Sequence, residues 1–273
     1  MKYIKRFNTE NEYDSYYRSN SFILPNLSLI DELIDEGNEV RFNPDLDGPI
    51  EPDPEPEEPP YDPYNGYEYV DLGLPSGLKW ARCNIGAEKE SDYGLYFTWG
   101  ETVGYNSEQV GNDSGQRYFH WITYKWCDGT QTTLNKYNYD RNYGTIDNKY
   151  SLDLEDDAAI VNMKGEWRMP TIEEYEELLR NTTNIWTTIN GVGGRLFTSK
   201  INESTLFFPA AGYLGSDSAK NVGSQGSYWA VNIHPSLSYE GRAIYFYSDS
   251  RYNTTSYWRC TARPIRGVIN IIQ

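Results

Sequence analysis

The spacing of apolar positions changes along this chain, and each spacing predicts a different element. Between Asn8 and Ser19, "NTENEYDSYYRS" reads as a short helix, with Asn8 or Thr9 as cap and acids in the first turn. "FILPNLSLIDELI" then gathers Phe22, Ile23, Leu24, Leu27, Leu29, Ile30, Leu33 and Ile34, and Glu39–Pro44 alternates as a strand does. From Gly48 to Pro60 the pattern stops. "GPIEPDPEPEEPP" alternates proline with acid, which excludes helix and central strand and favours polyproline II. At ~3.1 Å per residue this spacer extends to about 40 Å.

Periodicity resumes after residue 61. Two strand-like runs flank the turn "LPSGL" in "YEYVDLGLPSGLKWARCNIGA", and "YGLYFTWGE" supplies another. Residues 102–150 carry Tyr, Asn, Gly and Asp without a period and are expected as long loops. Ser151–Met163 is expected as a helix. A second helix starts after Pro170, where Thr171 and Glu174 form a T-x-x-E capping box and Tyr175, Leu178 and Leu179 face inward. The runs "GRLFTSK", "TLFFPAAGYL", "GSYWAVNI", "RAIYFYS" and "WRCTARPIRG" return the chain to strand. This order predicts an α+β fold of short antiparallel strands with two helices and long loops. The chain divides into an N-terminal segment, 1–47, an acidic proline linker, 48–60, and a domain, 61–273. The first segment is too short to bury a core alone, so it is expected to fold against copies of itself or against a larger partner.

Within the last strands, alternation separates a framework from a face. Trp229, Ala230, Ile233, Ala243, Ile244, Phe246 and Trp258 are expected inside. Asn232, His234, Tyr245, Tyr247, Ser248 and Ser250 point the other way, and Arg251, Tyr252, Asn253 and Tyr257 are expected on a following loop. With Tyr228 and Tyr239 these residues make the candidate ligand-binding set. Tyrosine offers rigid contact area at small entropic cost, Ser and Asn adapt their hydrogen bonds, and Arg is a frequent hot spot. The bland alternative is a sheet rich in Tyr because strands favour Tyr.

Composition narrows the partners. Tyrosine occurs 25 times and tryptophan 8 times in 273 residues, and the net charge is −16. That charge disfavours nucleic acid and anionic lipid headgroups. No apolar run spans a bilayer, and "MKYIKRFNTENEYDSYY" lacks the apolar core of a signal peptide, so synthesis in a cytoplasm without membrane insertion is expected. Cys83, Cys127 and Cys260 form no CxxC pair, which argues against zinc; a Cys83–Cys260 bridge and reduced, buried thiols both remain open. Asp153, Glu155, Asp156 and Asp157 relieve a helix dipole or, as the alternative, contribute to calcium. No metal or cofactor is assigned. His120 reads as a surface or structural residue, no G-x-S-x-G motif occurs, and no carboxylate pair stands out, so no catalytic residue is assigned.

Seven stretches, "EYVDLGLPSGLKWARCNIGA", "YGLYFTWGE", "LEDDAA", "GEWRMPTIEEYEELL", "LFFPAAGY", "GSYW" and "RPIRG", follow one another in an order with a family likeness. Over residues 66–268 the chain resembles the C-type-lectin-like domains of the major-paralogous-domain type found in gut Bacteroidetes and their phages. These are related in fold to formylglycine-generating enzymes. The C-terminal stretch is similar to the variable regions of diversity-generating-retroelement targets, which display a ligand-binding face on this fold. The EPN and WND signatures of calcium-dependent sugar-binding lectins are absent. Formylglycine generation uses a reactive cysteine pair, and Cys260 has no partner nearby in sequence. Residues 1–47 resemble leaders on virion proteins of crAss-like phages.

The resemblance implies a non-enzymatic virion fibre or appendage protein. Residues 1–47 would hold a capsid or tail protein and assemble the chain as a homo-oligomer, expected as a trimer. The lectin-like tip would bind a host cell-surface glycan or protein. The alternatives are a capsid decoration or head-fibre protein without receptor binding, a bacterial surface binding protein, and an enzyme of glycan cleavage or formylglycine generation.

Overall fold

In a computed structural model of the chain, the residues described are 62–110 and 117–270. The N-terminal helix, the Phe22–Ile34 cluster, the Glu39–Pro44 strand and the 48–60 spacer lie outside the described residues, as do the anchoring and oligomerisation assigned to residues 1–47.

Within the described residues the architecture is α+β: short antiparallel strands in four small sheets, with two helices. The predicted hairpin around "LPSGL" forms β1 (Tyr69–Asp71) and β2 (Lys79–Ala81). The last strand, β13 (Val268–Ile269), pairs with β2 and so ties the end of the domain to its beginning. A second sheet takes β3 (Tyr96–Thr98), β12 (Ala262–Pro264), β7 (Tyr213–Leu214) and β8 (Ala219–Lys220), in the order β3-β12-β7-β8. A meander of β4 (Thr182–Ile189), β5 (Val192–Ser199) and β6 (Thr205–Pro209) forms the third. The fourth joins β9 (Gln225–Ile233), β10 (Glu240–Tyr247) and β11 (Tyr252–Trp258), with β10 central.

The two helices sit between strand runs, as expected, but the first is shorter. α1 covers only Ala158–Met163, after a 3-10 turn over Leu154–Asp156. Asp157 accepts from the backbone N–H groups of Ala159 (2.8 Å), Ile160 (3.1 Å) and Met169 (2.9 Å), so its carboxylate both starts the helix and ends the next loop. α2 spans Ile172–Asn181 and carries the predicted capping box. Glu174 N–H donates to Thr171 Oγ1 at 3.2 Å, and Thr171 N–H donates to Glu174 Oε2 at 2.8 Å. Arg168 grips the same carboxylate with both amino groups. Tyr175 and Leu178 are buried, and Leu179 is partly so.

β9 separates two apolar clusters. Tyr228 and Ala230 join Trp80, Tyr175, Phe197, Phe208, Ile244 and Phe246 on the α2 side. Trp229 and Ile233 join Trp99, Phe97, Met163, Trp167 and Ala243 on the other. Side chains alternate across a strand, so one strand buried on both faces serves both clusters. The indoles find partners inside: Trp99 donates to Ala230 O at 2.9 Å, and Trp229 donates to Phe97 O at 2.8 Å. Gly226 is obligatory here, because a Cβ on it would lie 1.9 Å from the Phe246 ring.

The described part of 102–150 is irregular, as expected, with 3-10 turns at Trp121–Thr123 and Arg141–Tyr143. Arg259 holds it down. Its guanidinium donates to the carbonyls of Tyr137 (3.0 Å), Ser238 (2.8 Å) and Lys136 (3.0 Å) and to the Tyr124 hydroxyl (2.9 Å). Arg266 does the same at the opposite seam, on Asn84 Oδ1 (2.9 Å) and the carbonyls of Ala81, Arg82 and Phe207. Buried carbonyls need donors, and one guanidinium supplies several in a fixed fork. All three cysteines are free, which removes the Cys83–Cys260 bridge. Burial pushes the Cys260 thiol up to about 12.

Candidate functional site

Register decides which candidate residues share a face. Residues directly opposite in an antiparallel pair point the same way. Tyr245 lies between Ser227 and Asn253, Tyr247 pairs with Gln225, and Tyr257 lies opposite Gly241. One face of this sheet therefore carries Gln225, Ser227, Tyr245, Tyr247, Asn253 and Tyr257, together with Trp229 and Ala243, which the second apolar cluster covers; only the Tyr245–Tyr247 end of this face reaches solvent. The rings of Tyr245 and Tyr247 meet edge to face at 5.8 Å, and the Arg251 guanidinium covers the Tyr247 ring at 4.3 Å. Arg251 is itself paired with Asp249 at 2.8 Å. Ser248 and Ser250 are exposed in the turn between β10 and β11.

Four members of the candidate set sit elsewhere. Tyr228 is fully buried, and its hydroxyl donates to Pro209 O at 2.6 Å, so it belongs to the core and offers nothing to a ligand. Asn232 is half-buried, and its Oδ1 accepts from Ile172 N–H at 2.8 Å, so its side chain supports the start of α2. His234 Nδ1 accepts from the backbone of Ser236 (3.1 Å) and Leu237 (3.0 Å) and shapes the turn into β10. Tyr239 packs edge to face on Tyr143 at 4.9 Å.

The strand β11 also corrects the expected loop. Tyr252 and Tyr257 are strand residues, and the odd number of steps between them puts them on opposite faces. Tyr252 lies under the Arg195 guanidinium at 4.9 Å, on the side away from Tyr257. The same parity overturns the burial of Trp258, which is 50% exposed at the end of the edge strand. Tyr257, its neighbour, is the one packed against Trp229, at 6.4 Å. A shift of one position exchanges inside and outside in a strand.

The face ends in a groove of about 370 Å³, lined by Tyr213, Asn221, Gln225, Tyr247, Tyr257 and Arg263 among others. Its amides are ordered: Asn221 Nδ2 donates to Gln225 Oε1 at 2.7 Å, and Gln225 Nε2 donates to the Tyr257 hydroxyl at 3.2 Å. Burial raises the Tyr257 hydroxyl above the ordinary phenol range, so it stays protonated. Arg263 is 2% exposed and lies at the bottom. Its Nε donates to Ser227 Oγ at 2.8 Å and its Nη1 to Thr261 Oγ1. The rings of Tyr257 (3.8 Å), Trp229 (4.6 Å) and Tyr213 (4.9 Å) surround its Cζ. Burial lowers its pKa to about 10, and it is still charged at neutral pH.

Scans against known protein families, curated proteins and solved structures found no match for this chain.

Arg263 is the residue that sequence reasoning missed. Its signal was three arginines within Arg259–Arg266, in an apolar stretch that contains no acid to pair them. The acidic run, the other chemical candidate, has a local explanation. Oxygens of Asp153, Glu155 and Asp156 converge within 4.8 Å, but Lys136 Nζ already lies 2.7 Å from Asp153 and 2.5 Å from Asp156. An ammonium stands where a cation would. Hydrogen bonds from Lys136 and Lys149 hold the Asp153 carboxyl below its ordinary range. His120 is exposed. Among the described residues no helix is long and apolar enough to cross a membrane.

Proposed function

We propose that residues 62–270 are a C-type-lectin-like recognition module, and that the chain is a virion fibre or appendage protein that binds a host-surface structure through the solvent-facing Tyr245–Tyr247 end of the β9–β11 sheet. One observation carries this reading. Tyr245, Tyr247, Asn253 and Tyr257 share one side of a rigid sheet beside a groove with ordered amides. Rigid aromatic area next to adaptable hydrogen-bonding groups is the chemistry of binding surfaces. The sequence resemblance adds support, since the stretches that carry it include "GSYW" and "RPIRG", both buried here, while the Tyr, Ser and Asn positions between them, apart from the buried Ser238, reach solvent. A weak site of this kind gains avidity when several copies are presented together, which gives residues 1–47 and the acidic spacer their place in the proposal.

The test is adsorption. Full-chain protein is expected to compete with phage for host cells, and Tyr245→Ala, Tyr247→Ala and Arg251→Ala are each expected to weaken competition about tenfold while the melting temperature stays within a few degrees. Unchanged competition by all three removes the reading and leaves capsid decoration as the better one.

A further inference from the structure

The groove beside Tyr247 contains a buried guanidinium with no direct ion pair; Glu240, in the same lining, acts on it only across a longer distance. Arg263 forms two side-chain hydrogen bonds, both to neutral hydroxyls, Ser227 and Thr261. The Thr261 hydroxyl is fixed in turn by donating to Trp258 O at 2.7 Å. Among the described residues no carboxylate forms an ion pair with this guanidinium, and its Nη2 group has no hydrogen-bond partner. Removing a guanidinium from water is costly unless it is paired, and the surrounding rings offset only part of that cost. Arg259 and Arg266 meet the same cost with carbonyl fans. Arg263 instead leaves donors facing an open groove.

Resting on the recognition reading above, we infer that this groove is a subsite for an acidic sugar, whose carboxylate is received by Arg263 and whose ring lies against the aromatic lining at Trp258. The planar guanidinium fork matches a planar carboxylate, and charge-assisted hydrogen bonds of this kind are the strong ones. Tyr213 and Tyr257 hold Arg263 between their rings, and Trp258, half exposed in the same lining, offers ring surface suited to the apolar face of a pyranose. Asn221, Gln225 and Glu240 line the same groove and place amide and carboxylate groups where the hydroxyls of a sugar would lie. Glu240 accepts from Ser256, and its negative charge discriminates against a second acid on the ligand. The arrangement therefore fits one carboxylate flanked by neutral hydroxyls, rather than a phosphate or a polyanion.

The experiment is a calorimetric titration of the full chain with methyl glycosides of glucuronic acid, galacturonic acid and N-acetylneuraminic acid, each beside its methyl ester. At least one acid is expected to bind about tenfold or more tightly than its ester. Arg263→Met is expected to abolish that preference and Arg263→Lys to restore part of it. Ile185→Thr, at an exposed position of β4, is expected to leave it intact. No binding of any acid at millimolar concentration overturns the inference, as does equal affinity for acid and ester. The acid–ester comparison uses the unaltered chain, so it holds even if Arg263→Met fails to fold. Equally tight binding of sulfate or acetate alone also overturns it, since the groove would then hold any anion. Host adsorption that depends on Tyr247 but not on Arg263 sinks this inference and leaves the recognition reading standing. Loss of host binding by the unaltered chain sinks the reading beneath it.

Discussion

Arg259 and Arg266 hold two seams of the core together, whereas Arg263, between them in sequence, lies under an open groove. All three side chains are almost fully withdrawn from solvent. Arg259 and Arg266 spend their donors on buried carbonyls and side-chain oxygens contributed by distant parts of the chain. Arg263 spends its donors on two hydroxyls and keeps the remainder toward the groove. The difference teaches that burial of a cation is ambiguous by itself. Its hydrogen-bond partners tell whether it serves the fold or awaits something outside it.

That contrast breaks if the arginines respond alike to removal. Arg266→Met strands several buried acceptors at once, and a loss of about 3–5 kcal/mol is expected in urea unfolding of the full chain. Arg259→Met is expected to behave similarly and to free the loop around Tyr137, visible as faster amide exchange there. Arg263→Met removes a costly buried charge and strands only two hydroxyls, so a change of about 1 kcal/mol or less is expected. A loss at Arg263 as large as at Arg266 makes it a third structural clamp and removes the reason to look for its anion. The smallest effect is expected at Tyr245→Ala, within about 0.5 kcal/mol, because its ring is partly exposed and packs against Tyr247 rather than in either apolar cluster.

Much of the frame was legible because its signals are local. The capping box at Thr171 and Glu174 needs only four neighbouring residues, and it forms as read. The expected inside set Trp229, Ala230, Ile233, Ala243, Ile244 and Phe246 is buried throughout, but on both faces of the sheet rather than on one side set by alternation. What failed depended on tertiary position. β4 follows α2 without an intervening turn residue, so no punctuation marked it. Taking Tyr252–Tyr257 as loop rather than edge strand lost the parity that separates Tyr257 from Trp258. Asn232 and His234 have the chemistry of ligand contacts, but neighbouring backbone N–H groups claim them first. Tyr228 has strand parity that directs it to the α2 cluster. Arg263 could not be distinguished from Arg259 and Arg266 until the folded chain showed which oxygens each one meets.

The decisive point is that the Tyr245–Tyr247 end of the β9–β11 sheet, with the groove beside it, receives a molecule from outside the chain. Amide hydrogen exchange of the full-length protein, with and without envelope material from a host it adsorbs to, tests this most directly. The account predicts slowed exchange concentrated in residues 225–227 and 245–257, with the α2 cluster unchanged. Protection confined to the β4–β6 meander or to the loops before α1, with the 245–257 region exchanging as freely as before, would contradict it.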